Sequence, residues 1–347
     1  KREQVTDMTK GPVFRQMAAF ALPVLLGMIF QRIYNFADAY IVGRYLGDGA
    51  LAAVSIAGTA MYMMTSIMQG VTTGVSIVIS QFYGGGENRK LRKTFAAGIH
   101  VALWITVLIT VTGVTTADPL LRLLQTGSKL LPDARIYLIV IYGGCGATML
   151  YNFASSVLRA LGNSLVPLAF LVVSSVMNVI LDIALVSWIP MGVAGAALAT
   201  VISQLFSGVL CLVYALWILP VLRISRREWK PDLYLVGQIL RYGIPTGLQM
   251  SIISISDMTL QAVVNTYSTA MVVAYGVALK VEGMGFQLAD AIGMSMGTFT
   301  GQNTGAGNLK RVEKGVRSAC LLNLICYGVF CPAVFALAGL IMRAFTD

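Results

Sequence analysis

Gln81-Phe82-Tyr83-Gly84-Gly85-Gly86 recurs 221 residues later as Gln302-Asn303-Thr304-Gly305-Ala306-Gly307, and the basic pair behind it, Arg89-Lys90, recurs as Lys310-Arg311. Upstream, Ala21-Leu22-Pro23 aligns with Gly243-Ile244-Pro245; downstream, Arg122 aligns with Arg343. Chance rarely aligns a proline, a glutamine-glycine pattern and a basic pair in register, so the chain is a long internal repeat.

What lies between these markers is apolar. Of 347 residues, 57% are hydrophobic and 12% charged, with a mean hydropathy of +0.77. Soluble domains carry about 25% charged residues. Fifteen acids and 25 bases cannot clothe a chain of this length in a water-facing surface, which excludes an ordinary soluble protein and makes lipid the main solvent. A membrane span needs about 20 mostly apolar residues. That ruler places nine spans at 15–42, 50–82, 94–117, 134–156, 165–188, 193–219, 236–265, 270–300 and 315–343. The runs are continuous and far longer than the alternating segments of about ten residues in a membrane barrel, so they are helices, several long enough to tilt or kink.

Six spans separate equivalent points of the repeat, and an even number returns the chain to the same side of the membrane. The two copies are therefore parallel repeats about an axis along the membrane normal. The expected architecture is all-α and polytopic. A six-helix lobe occupies 12–222, a basic linker 223–235, and the first three helices of a second lobe 236–347. By the offset, Asp347 corresponds to Thr126, so the second repeat is incomplete and the chain reads as a piece of a twelve-helix protein. Counting bases loop by loop gives 18 Lys and Arg on the side of the N-terminus and five on the other, which puts the N-terminus in the cytoplasm.

The net charge of +10 comes from short clusters between apolar runs. That pattern suits an anionic leaflet and not a nucleic acid. The five cysteines, Cys145, Cys211, Cys320, Cys326 and Cys331, lie in apolar segments without C-x-x-C spacing and read as small core residues. The polar start, Lys1 to Lys10, precedes an apolar run too long for the core of a cleavable signal.

Ionisable groups inside hydrocarbon cost about 2.5–3.5 kcal/mol each on insertion scales, so each calls for a reason. The candidates are Arg32, Asp38, His100, Asp182, Asp257, Lys280, Glu282 and Asp290. Gln31, Tyr34 and Asp38 are about one helical turn apart and form a polar stripe; Asn178 and Asp182, at i and i+4, form another. Such carboxylates can exchange a proton or hold Na⁺ with neighbouring oxygens; the competing reading is a structural anchor that pairs with Arg32 or satisfies a kinked backbone. Pro23 removes a backbone hydrogen bond in mid-span, giving either a static kink or a hinge that moves with the charge state of Asp38. His100 suits a satisfied core position better than a proton relay. Lys280 and Glu282 do not share a helix face. Met61, Met63, Met64 and Met68 suit ordinary packing as well as an adaptable pocket. No phosphate-binding G-x-x-x-x-G-K-[ST] loop, H-E-x-x-H or paired-aspartate metal motif occurs, so any transport must draw on an ion gradient.

Pro23 and Asp38 in the first span, the Gln81 to Lys93 loop, Arg159-Ala160-Leu161-Gly162-Asn163, and Asn178 with Asp182 together resemble the multidrug and toxic compound extrusion (MATE) family. Within it, the resemblance is to the bacterial DNA-damage-inducible-like branch, across nine of twelve helices. It implies a secondary antiporter of the bacterial cytoplasmic (inner) membrane that exports small organic cations in exchange for H⁺ or Na⁺. No cofactor is implied, and the full-length protein is expected to be monomeric and surrounded by lipid. By the same resemblance Asp38, Asn178, Asp182 and Thr200 form the coupling site, with Gln31, Tyr34 and Asn152 near it for substrate. Other branches carry a glutamate eight or nine residues after the proline equivalent to Pro245. Here those positions are Ile253 and Ser254, which shifts weight to the first lobe. A lipid-linked sugar flippase of the same superfamily would need several cavity cations, and the spans offer only Arg32 and Lys280. A polytopic membrane enzyme has no need of the repeat.

Overall fold

The computed structural model describes residues 6–124, 126–264 and 266–346, except the side chains at 59, 63, 254, 255, 258, 262, 269, 270, 273 and 340–346. Lys1 and Arg2, and the side chains of Met63, Ser254 and Arg343, used in the sequence reading, lie outside the described residues. The described residues form helices and no strand: α1 (Val13–Leu46), α2 (Asp48–Gly84), α3 (Asn88–Leu123), α4 (Leu131–Gly143), α5 (Cys145–Ala160), α6 (Leu165–Asp182), α7 (Val193–Ile218), α8 (Leu233–Val264), α9 (Thr269–Gly305) and α10 (Leu309–Thr346).

The repeat is written into the element boundaries. Both α2 and α9 have 37 residues, and α9 starts and ends 221 residues after α2; α3 and α10 start at the same offset. Each turn between them passes through a glycine with positive φ, Gly86 at 68° and Gly307 at 73°.

Six helices, or seven if the bent pair α4 and α5 is one span, are long and apolar enough to cross a membrane by length and composition. The protein is thus a multi-pass membrane protein. The spans expected at 236–265 and 270–300 fall in α8 and α9, which are long enough but lie outside that set among the described residues. Lys280, Glu282 and Asp290 dilute the apolarity of α9. The single span expected at 134–156 is instead two helices bent by 47° at Gly143-Gly144. A Cβ at Gly144 would collide with Val201 of α7, so glycine lets α7 pack closely at the break.

Large apolar side chains are exposed, Trp104 and Phe335 among them, as a lipid solvent permits. Three of the five cysteines depart from the core role expected of them. Cys145 and Cys211 are buried, but Cys320 and Cys331 are exposed and Cys326 half-buried, the last three on α10, which packs on α1 and α9 along one side only and has no buried residue among those described in its most apolar stretch.

The first six spans share one large core, to which the second half adds Leu235 and Ile239 from the start of α8. A second cluster joins Met8 and the first turns of α1, through Met17, Phe20 and Val24, to Ala291 and Phe299 of α9. Glycines let the backbones of the two halves touch: a Cβ at Gly84 would collide with the Gln302 carbonyl oxygen, and one at Gly305 with that of Gln81. Past Leu240, α8 adds no described side chain to either cluster, although its Gly243 and Gly247 still pack on Gly70 of α2, and Phe36 and Tyr40 on the later half of α1 are exposed. The halves therefore meet at the end of the bundle that carries residue 8 and separate toward the other.

The expected linker is ordered against α3. Arg92 grips Glu228 with Nε at 2.9 and 3.0 Å from the two carboxylate oxygens, and Lys93 pairs with Asp232 at 3.2 Å. Glu228 also accepts bonds from the amide and hydroxyl of Ser225. The Ser225 amide, together with the Arg92 guanidinium, holds this carboxyl below its usual range against the opposing effect of burial. His100 stacks on Trp229, centroids 5.0 Å apart, with Nδ1 2.7 Å from the Ala96 carbonyl, the satisfied role expected of it.

Candidate functional site

Three helices converge on a polar cluster inside the first half. On α6, Ser174, Ser175, Asn178 and Asp182 follow helical spacing, and all four are buried, Asn178 at 1% and Asp182 at 0% exposure. Directly after Asp182 the helix widens into a π-helical stretch, Ile183–Trp188. Such irregularities cluster at functional sites, because they re-aim side chains. On α7, Thr200, Ser203 and Gln204 face the same point; on α1, Tyr34 does. Small residues such as Gly195, Ala196, Ala197 and Ala199 line the buried side of α7 and let it approach its neighbours closely.

Tyr34, Ser174, Ser175, Asn178, Thr200, Ser203 and Gln204 enclose a cavity of about 10 Å³, the room of roughly one water. Gln204 donates from Nε2 to the Tyr34 hydroxyl at 3.3 Å. Gln31, one turn before Tyr34, also reaches that hydroxyl. Asp38 lies one turn after Tyr34, and its carboxylate interacts electrostatically with Asp182. Tyr137 of α4 is within electrostatic reach of Asp38, Asp182 and Tyr34.

The cluster is polar but unsaturated. Asp38 Oδ1, both carboxylate oxygens of Asp182, both side-chain polar atoms of Asn178, Ser203 Oγ and Gln204 Oε1 are buried without a hydrogen-bond partner. Leaving one such group unpaired costs about 1–3 kcal/mol, more when it is charged. Among the described residues no ion pair joins Asp38 or Asp182 to a base. The anchor reading, in which Arg32 neutralises Asp38, finds no such pair; the Arg32 guanidinium instead lies against α9, 3.0 Å from where a Cβ at Gly283 would be. The donor set of carboxylate, amide and hydroxyl oxygens suits a proton or a small hard cation. No cluster of three or more His, Cys, Asp or Glu that could hold a metal ion occurs among the described residues.

The structure thus brings together Tyr34, Asp38, Asn178, Asp182 and Thr200. Gln31 touches the group from an exposed position, whereas Asn152 is half-buried on α5 and does not line the cavity. Pro23 is buried within α1. Asp257, Lys280 and Glu282 are exposed and Asp290 half-buried. Met64 and Met68 are packed in the core. Ser203, Gln204 and Tyr137 were not picked out from sequence, although Thr200, Ser203, Gln204 and Ser207 carry the i, i+3, i+4, i+7 signal of one helix face.

Known proteins resemble this chain in sequence and fold. The family described as MatE matches residues 23–184 and 245–347, the two segments that begin at the repeated prolines. The chain is 32% identical to "Probable multidrug resistance protein YpnP" of Bacillus subtilis over 88% of the chain and 68% of that protein. It is 28% identical to "Probable multidrug resistance protein YoeA" of the same organism over 97% and 74%. A MOP superfamily transporter from Pyrococcus furiosus superposes with a TM-score of 0.91 at 22% identity, covering 100% of this chain and 76% of the other. The chain belongs to the MatE family, the multidrug and toxic compound extrusion transporters, which are membrane transporters and not enzymes.

Proposed function

We propose that this protein is a secondary antiporter of the bacterial inner membrane that exports small organic cations in exchange for H⁺ or Na⁺ by alternating access. The observation that carries the reading is the buried, unpartnered cluster of Asp38, Asn178 and Asp182, bounded by Thr200, Ser203 and Gln204. An ion pathway tolerates the cost of such groups, since the arriving proton or Na⁺ supplies the missing partner. Asp38, Asn178, Asp182 and Thr200 hold the coupling ion. Gln31, Tyr34 and Asn152 contact substrate. Loading the ion neutralises a carboxylate on α1, changes which neighbours Asp38 prefers, and bends α1 at Pro23, where the backbone lacks one hydrogen bond.

In this reading the six-helix lobe 12–222 and the segment 236–347 are the moving bodies, the linker 223–235 is fixed to the first, and the N-terminus is cytoplasmic. The relatives named as multidrug resistance proteins support organic substrates of broad structure. The test is efflux of a fluorescent organic cation from vesicles containing the full-length protein, with pH and Na⁺ gradients imposed separately. Efflux driven by one of them is expected. Efflux indifferent to both would refute the antiport.

A further inference from the structure

The stretch from Thr6 to Gly11 precedes every helix, yet it is held as firmly as any of them. Met8 is fully buried in the cluster where the two halves meet. Its backbone amide donates to Gln302 Oε1 at 3.0 Å. Its carbonyl accepts from Asn303 Nδ2 at 3.1 Å and Arg311 Nε at 3.2 Å. Gln302 spends its other end on the first half, donating from Nε2 to the Ala160 carbonyl at 3.0 Å. Two residues earlier, the Thr6 amide donates to the Gly162 carbonyl at 3.3 Å. Gly162 has φ of +90°, and a Cβ there would collide with the Thr6 carbonyl oxygen, which accounts for the glycine of the Arg159 to Asn163 motif. Arg311 is itself braced, with Nη2 2.9 Å from Gln16 Oε1 and its guanidinium 5.4 Å from the centre of the Phe299 ring.

We propose that residues 6–9 are a latch that holds the two halves closed at this end of the bundle, with Gln302 and Asn303 as its positioning residues. The inference rests on the alternating-access reading and adds to it a specific closing element. The repeat sharpens the case. Gln81 is the counterpart of Gln302, but the strap engages only Gln302, so one copy of the motif serves the latch and the other does not. For the halves to part here, Gln302 must release Ala160, and the strap must give up either its bonds to Gln302, Asn303 and Arg311 or its bond to Gly162.

The test measures the gap directly and does not depend on transport. Spin labels at Arg89→Cys and Lys310→Cys, repeat-related exposed positions in the first turns of α3 and α10, report the separation of the halves in a background with the five native cysteines replaced by alanine. The latch predicts that the double variant Gln302→Leu and Asn303→Leu gains a long-distance population, about tenfold larger than in the parent, as expected from losing several net-favourable hydrogen bonds. A chain beginning at Thr9, with every helix intact, should show the same gain, and Gln81→Leu should not. Distance distributions unchanged in both latch variants would overturn the proposal, as would an equal shift in Gln81→Leu. Failure of coupled efflux with these distances behaving as stated would count against the antiport reading and leave the latch standing.

Discussion

Gln204 and Tyr34 lie 170 positions apart in sequence, yet the amide of one donates to the hydroxyl of the other at 3.3 Å, tying α7 to α1 one turn from Asp38. The bond leaves Gln204 Oε1 unpartnered beside Asn178 and Ser203. A side chain that spends its donor on the helix carrying Asp38 and keeps its acceptor free couples the position of α1 to the occupancy of the cavity.

Gln204→Leu keeps the volume and removes both functions. We expect gradient-driven efflux to fall severalfold, up to about tenfold, at unchanged folded yield, since one neutral hydrogen bond contributes about 0.5–1.5 kcal/mol. Efflux assays normalised to monodisperse protein check this; wild-type rates would contradict it.

The glycine contact between the halves yields a prediction about packing. Gly84→Ala and Gly305→Ala force a methyl group into the opposing backbone and should each cost about 1–3 kcal/mol. Gly237→Ala, with nothing within 4 Å, should be neutral or slightly stabilising. Thermal unfolding in detergent ranks the three.

How much of this was legible beforehand follows from what each feature depends on. The repeat showed in sequence because turns and kinks require particular residues, and glycines and prolines punctuate both copies alike. Asn178 and Asp182 showed because an amide and a carboxylate at i and i+4 stand out in an apolar run. Gln204 sits in an equally helical stripe, but its meaning lies in Tyr34, which only tertiary packing supplies. The need for glycine at 144 likewise depends on Val201 of a later helix, and the exposure of Cys320 and Cys331 on which face of α10 is covered. Met8 sits in a polar start, where nothing local shows that Gln302 binds its backbone.

The linker carries a pH dependence. Glu228 titrates below its ordinary value of 4.5 when bound to Ser225 and Arg92. A lowered carboxylate contributes stability that is present above the unfolded value and lost as pH falls through the folded one. Protection of the Ser225 amide from hydrogen exchange, relative to its intrinsic rate, should hold at neutral pH and decline below about pH 4.5. In Glu228→Gln it should be reduced at neutral pH and show little further dependence on acid.

Sidedness follows from the loop charges. An impermeant thiol reagent applied to intact cells should miss a cysteine placed at Arg89 and label one placed at Lys129. The reverse pattern would invert the topology.

The central claim is that Asp38 and Asp182 hold the coupling ion. Asp38→Asn and Asp182→Asn keep the shape of the cluster and remove the charge change that links ion to substrate. Asp118→Asn is the control, since Asp118 sits in a solvated pair with Arg135 at 3.0 Å, a type of pair that contributes little. The decisive measurement is gradient-driven cation efflux, normalised to folded, inserted protein, for the three variants side by side. The account predicts loss of coupled efflux in Asp38→Asn and Asp182→Asn with near wild-type rates in Asp118→Asn; wild-type normalised rates in both cluster variants would contradict it.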